Sequence, residues 1–187
     1  MPNEYEDQIM PSLERLARLA RAGEHGHGLN PAQWEALRYL ARANRFSNSP
    51  GALTRYLGAT KGTISQTVMA LERKGYVTKA ERAGERRSVL LVLTPKGHEA
   101  LASNSWTRLA TAAENLGPKT RRRLAKGLRE LLATELSHGQ HESFGQCLTC
   151  RFFREHNKGR GPHHCMYFDE PLSEAETSQI CIAHQEG

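Results

Sequence analysis

Four cysteines, Cys147, Cys150, Cys165 and Cys181, all fall in the last quarter of a 187-residue chain, spaced Cys-x2-Cys-x14-Cys-x15-Cys. The first residues, Met1 to Asp7, lack the basic and apolar stretches of an export signal, so the chain is expected to be cytosolic and its thiols reduced. Clustered thiols in that setting point to metal or redox chemistry. The leading pair sets two sulfurs on one ion or cluster, and the two longer loops fold back to complete a set of four. Ligation would also organise a segment too small and polar to bury a core alone. Structural Zn2+ is one reading, although zinc sites more often close with a second tight pair. His163 and His164 offer a mixed site, but adjacent histidines tend to point apart.

The charge is divided along the same line. Of a net +6, residues 1–139 hold 22 Lys/Arg against 13 Asp/Glu, while residues 140–187 hold 4 against 7. A basic body suits a polyanionic partner, because cations that neutralise phosphates release condensed counterions. No run approaches the length of a membrane span, and no Gly-rich phosphate loop, HExxH or nucleophile elbow is present, so neither a membrane protein nor an enzyme is expected.

The elements that must carry these groups are legible from periodicity. Ile9, Leu13, Leu16 and Ala20 line one face of a helix over 5–22. Asn30-Pro31 opens a second helix with Trp34, Leu37 and Leu40 inward, and a polar loop, Asn44 to Ser49, closes it. Ser49-Pro50 starts a two-turn helix broken at Gly58, and Thr60 caps the next, where Ile64, Val68 and Leu71 recur on one face. Lys61, Thr63, Gln66, Thr67 and Arg73 are then expected to face solvent. After Gly75, Tyr76-Val77-Thr78 and Val89 to Leu93 read as strands of a hairpin with a long charged tip over 81–88. Thr94-Pro95 starts a helix expected to run to about Asn115, and after Gly117-Pro118 Leu124, Leu128, Leu131 and Leu136 mark the last one.

Two short helices joined by a glycine-containing turn, followed by a wing, form a winged helix-turn-helix, so the fold class is mainly α with a small β-hairpin wing, α+β. Such a unit holds its second helix out with N-terminal side chains facing a major groove. Thr60, Lys61, Thr63, Ser65, Gln66, Thr67 and Arg73 supply hydroxyls, an amide and cations suited to base edges and phosphates. Arg86 and Arg87 on the wing suit the flanking minor groove or its phosphates. Residues 50–100 hold nine Lys/Arg against four Asp/Glu, which supports double-stranded DNA as the partner.

Leu29 to Trp34, Thr60 to Ser65, Leu71 to Val77, and Glu85-Arg86-Arg87-Ser88 through Leu93-Thr94-Pro95-Lys96-Gly97 resemble the winged helix-turn-helix core of the MarR (multiple antibiotic resistance regulator) family. With the flanking helices the resemblance covers 5–138. It implies a homodimer joined through the terminal helices, binding an inverted-repeat operator and usually repressing. Where that family commonly has Asp before the wing arginines this chain has Glu85, with Arg87 as its implied partner, so the link that fixes the wing is looser. Independently, paired reading heads about 34 Å apart would read inverted half-sites. The expected organisation is a dimerisation helix at 1–28, the winged domain at 29–101, dimerisation helices at 102–140 and a cysteine segment at 141–187.

The segment 144–187 has Arg151-Phe152-Phe153 after the leading pair, then Cys165-Met166-Tyr167-Phe168, Leu172 and Cys181. It resembles high-potential iron–sulfur proteins and the small modules akin to them. That resemblance implies a [4Fe-4S] cluster held by Cys147, Cys150, Cys165 and Cys181, with Phe152, Phe153, Tyr167 and Phe168 buried around it. The reading is a repressor whose cluster reports redox state, oxygen or iron supply, its loss unfolding the segment and shifting helix 118–138. The alternatives are a repressor with structural zinc that answers a small phenolic or acidic effector, and an iron–sulfur electron carrier or redox enzyme subunit.

Overall fold

The computed structural model describes residues 8–24, 27–82, 85–102, 104–138, 144–156 and 163–187, and excludes the side chains of 82–88. Helices dominate: α1 Ile9–Ala22, α2 Pro31–Leu40, α3 Pro50–Leu57, α4 Lys61–Arg73, α5 Pro95–Ala102, α6 Ser105–Glu114 and α7 Pro118–His138. An antiparallel hairpin of β1 Val77–Arg82 and β2 Glu85–Leu93 lies between α4 and α5. The cysteine segment adds a 3-10 turn at Cys147–Thr149, a sheet of β3 Phe153–Arg154, β4 His163–Cys165 and β5 Glu170–Leu172, and α8 Glu174–Thr177.

Side chains placed in advance of each winged-core helix start it. Asn30 accepts the Gln33 N–H at 2.9 Å while the Gln33 side chain accepts the Asn30 N–H, and Pro31 follows at a position that needs no donor. Ser49 accepts from Ala52 N and Thr60 from Thr63 N. Each such cap stabilises its helix by about 1 kcal/mol. Gly58 ends α3 at φ 61°, a left-handed conformation that costs glycine nothing and turns the chain directly into α4.

The core collects Trp34, Leu37 and Tyr39 from α2, Leu53 from α3, Ile64, Val68 and Leu71 from α4, and Leu91 from β2. Thr94 closes the wing's base, its hydroxyl donating to Gly75 O and accepting the Gly97 N–H. A Cβ on Gly97 would sit 2.5 Å from Tyr76 O, so only glycine lets α5 approach the chain just before β1.

Three expectations are corrected. The single helix over 95–115 is two, because Asn104 turns its side chain to accept the Trp106 N–H and caps a new start. The wing's strands extend to Arg82 and from Glu85, so the tip is shorter than 81–88; pairing continues past the apolar run through Arg82 opposite Glu85, with a register shift after Glu81. Thr67 is buried, because it lies three residues after Ile64 and four before Leu71 and shares their face.

α1 and α7 carry their apolar stripes outward. Ile9, Leu16 and Leu19 are exposed, as are Leu124, Leu128, Leu131 and Leu132, and no residue of the 21-residue α7 is buried. The link between the end of α1, the start of α6 and the winged core centres on Glu24. Its carboxylate pairs with Arg38 of α2 and accepts the indole N–H of Trp106 in α6 at 3.1 Å, while its carbonyl accepts that of Trp34 at 2.8 Å. Glu24→Ala leaves Arg38 facing a void, and denaturant unfolding should show a loss of about 2–3 kcal/mol. That is below the cost for a wholly buried pair because Arg38 keeps some access to water. An unchanged midpoint would show that the staple carries no stability.

Candidate functional site

On α4 the described structure leaves Lys61, Thr63, Ser65, Gln66 and Arg73 exposed along one face, with Thr60 exposed at its start. Thr60 is committed to its cap, its hydroxyl lying 2.9 Å from that of Thr63. Met69, 59% exposed on the same helix, was not foreseen as part of this surface. Glu72 on the following turn is paired with Lys79 of β1 at 2.7 Å. Glu85, Arg86 and Arg87 belong to β2 by their backbone, and their side chains lie outside the described ones.

The second site is a cavity of about 290 Å³ in the cysteine segment, counting its open side. Cys147, Cys150, Cys165 and Cys181 all line it, with Phe152, Phe153, Tyr167, Phe168, Leu172 and Ala183 as the remaining wall. Local structure brings each sulfur there. Cys147 and Cys150 sit at the two ends of the 3-10 turn, whose Cys150 N–H donates to Cys147 O at 2.9 Å. Cys165 ends β4 opposite Phe153, and Cys181 is held by a bridge to Gly145. α8 is fixed under them by a capping box in which Ser173 and Glu176 exchange hydrogen bonds.

All four thiols are free. Burial, followed by the neighbouring Cys181, Cys165 and Cys150, pushes the Cys147 thiol up to about 12, and burial raises Cys181 as well. Burial thus disfavours the charged forms of Cys147 and Cys181, and a positively charged group among the sulfurs would offset that cost. The donors thus fit a thiolate-ligated metal group. Among the described residues no three Cys, His, Asp or Glu side chains are gathered as ligands of a single ion, and the sulfurs stand around a space.

The histidines take other partners. His163 Nε2 lies 2.8 Å from Glu174 and His164 Nε2 3.0 Å from Asp169, and neither ring lines the cavity. Of the four aromatic residues expected to be buried, Phe152, Phe153 and Phe168 are half-buried, but Tyr167 is 53% exposed. It still lines the cavity and packs against the rings of Phe152 and Phe168.

What the sequence did not reveal is where this segment docks. Its described contacts run to α3, where Phe144 meets Tyr56 edge-on at 5.0 Å, and to the connection between α2 and α3, whereas the expected route ran through helix 118–138. Asn44 N donates to Ile180 O at 3.0 Å, Ile180 N to Arg42 O at 2.6 Å, and Ile182 N to Ser47 Oγ at 2.8 Å. Arg45 reaches Glu176 at 3.1 Å and Glu170 at 3.4 Å, and Phe46 stacks on Phe168 with centroids 4.1 Å apart and planes 7° from parallel. Ile180 is part of the winged core itself. The one signal available was an aromatic and an arginine inside a polar loop, Asn44 to Ser49.

Helices α3 and α4 crossed over the core, a protruding α4 face and a hairpin behind it define a winged helix-turn-helix protein. Residues 27–88 match the MarR family. The transcriptional repressor MprA of Escherichia coli (strain K12) is 26% identical over 129 residues, covering 64% of this chain and 71% of that protein. Among solved structures, a MepR mutant from a multidrug-resistant Staphylococcus aureus clinical isolate aligns with TM-score 0.56 at 18% identity, over 72% of this chain and 99% of its own. Staphylococcus aureus MarR in complex with salicylate and kanamycin aligns with TM-score 0.53 at 19% identity, over 73% and 93%. At such identities the structures show the fold. The chain is thus similar to the MarR family over residues 27–88 and to a transcriptional repressor over a longer stretch, and no helix of the described residues is long and apolar enough to cross a membrane.

The thiol shifts give a direct expectation. A raised pKa means less thiolate, so Cys147 of metal-free protein at pH 8 should alkylate with iodoacetamide at least about a hundredfold more slowly than free cysteine. Peptide mass mapping reads this site by site, and fast Cys147 labelling would show that its surroundings are not those described.

Proposed function

We propose that the chain is a homodimeric repressor of an inverted-repeat operator, and that Cys147, Cys150, Cys165 and Cys181 hold a [4Fe-4S] cluster whose presence or oxidation state sets operator affinity. The observation that carries this reading is that four free thiols line one cavity in a segment bonded to the winged core. The cluster, when bound, supplies a reversible one-electron centre sensitive to oxygen and iron supply. The residues of this chain do the rest. Phe152, Phe153, Phe168 and Leu172 limit water around the sulfurs, and the docked segment ties the state of the site to the α2–α3 connection.

Homodimerisation rests on the outward leucine stripes of α1 and α7, which a lone chain leaves in water. DNA recognition rests on the exposed face of α4. Lys61 and Arg73 are assigned to phosphates, Ser65 and Gln66 to base edges, and Thr60 and Thr63 to the backbone at the helix start. Arg86 and Arg87 are assigned to the wing's contacts. Thr67, being buried, supports α4 from behind and leaves the set.

Lys61→Ala should weaken binding to every sequence alike and reduce the salt slope by about one, whereas Gln66→Ala should cost about 1–3 kcal/mol at a single base position. Fluorescence anisotropy across an operator substitution panel distinguishes the two, and a flat response to both variants would move the contact face off α4. The regulatory half is tested by operator affinity of anaerobically prepared chain before and after cluster removal. Unequal affinities support a sensor, and equal ones reduce the metal site to a structural staple.

A further inference from the structure

Asn44 lies in the winged domain, 103 residues before the first cysteine, yet its buried side chain stands against Cys181. Its Oδ1 accepts from Ser47 Oγ at 2.8 Å and from Phe46 N at 3.1 Å. Its amide Nδ2 is buried and completes no hydrogen bond among the described residues. The Asn44 backbone N–H donates to the carbonyl of Ile180, the residue before Cys181, at 3.0 Å, which fixes Asn44 beside this cysteine. An amide with two spare N–H groups beside a thiol is poorly matched, because a neutral thiol is a weak acceptor. A metal-bound thiolate is a strong one.

The other side of Asn44 leads to the reading head. Ser47, fixed by Asn44 Oδ1, accepts the Ile182 N–H on its hydroxyl and the Tyr39 phenol on its carbonyl at 2.7 Å. The next residue, Asn48, accepts the N–H of Leu91 in the wing strand β2 at 2.7 Å, and Ser49 caps α3. One short connection therefore touches a cysteine of the cavity, the wing and the first helix of the helix-turn-helix.

We propose that Asn44 is a positioning residue for both sites: its Nδ2 donates to the Cys181 sulfur when that sulfur ligates metal, and its Oδ1, through Ser47, sets α3 and β2 accordingly. This inference rests on the cluster-binding reading above. It assigns to the winged domain a hydrogen bond that stabilises the more negative, reduced state and so raises the site's potential.

The test uses the full-length, anaerobically purified chain and two readouts, the midpoint potential from a dye-mediated redox titration and the ratio of operator affinities with and without the cluster. Asn44→Ser keeps an acceptor for the Phe46 N–H but withdraws the donor from the sulfur. It should move the potential to more negative values and bring the affinity ratio towards one. Ser47→Ala leaves the amide in place, and should keep the wild-type potential while losing the ratio. Circular dichroism establishes that each variant is folded, and Asn44→Ala replaces Asn44→Ser with the same expectation should the latter not fold. A coloured wild-type chain whose Asn44 variants keep both potential and ratio overturns this inference alone. A wild-type chain with no iron–sulfur absorption overturns the reading beneath it as well.

Discussion

Thiols that are buried together cannot all ionise unless positive charge shares their space. That electrostatic constraint governs the C-terminal quarter of this chain. Cys147, Cys165 and Cys181 are buried and Cys150 half-buried, in walls made of Phe152, Phe153, Phe168 and Leu172. Burial opposes ionisation of Cys147 and Cys181, and the segment relies on strands of two or three residues and a single capped turn of helix for its shape. A segment of that kind gains most of its order from what it ligates and from what it leans on.

It leans on the winged core. Phe168 stacks on Phe46, Arg45 is held between Glu176 and Glu170, and the backbone at Ile180 adds a bridge to Ala43. These contacts all fall on the connection whose last residue caps α3 and whose Asn48 carbonyl holds the wing. The segment is therefore bonded to the same short connection that holds β2 through Asn48 and starts α3 through Ser49. The same contacts bury an asparagine against a sulfur, an arrangement with little purpose for a neutral thiol. A separate link, through Glu24, Arg38 and Trp106, ties the end of α1 and the start of α6 to α2. The winged core is thus braced from two directions, and any change in its setting must be shared with both.

The helices of the core were legible because their signals are local. Asn30-Pro31, Ser49-Pro50 and Thr60 each announce a start within four residues, and Gly58 announces a turn by needing a positive φ. Where the reading depended on face assignment it slipped by one position: Thr67 belongs with Ile64 and Leu71, although its hydroxyl suggested water. Asn104 was passed over because the apolar pattern on either side runs on across it. The four cysteines were legible as a set, since all fall in the last quarter of the chain behind a leading Cys-x2-Cys, and the structure brings all four to one cavity. The docking surface was not legible. Phe46 and Phe168 lie more than a hundred residues apart, and neither composition nor periodicity encodes which loop a small segment will cover. Tyr167 lines the cavity as expected, but it remains more than half exposed.

The central claim is that these four sulfurs hold an iron–sulfur cluster. Full-length chain purified without air, compared with its Cys165→Ser variant by visible spectrum and by iron and acid-labile sulfide analysis, tests it directly. The account predicts a brown wild-type protein with about four iron and four sulfide per chain and a variant that loses both. A colourless wild-type chain carrying zinc, or carrying no metal at all, would contradict it.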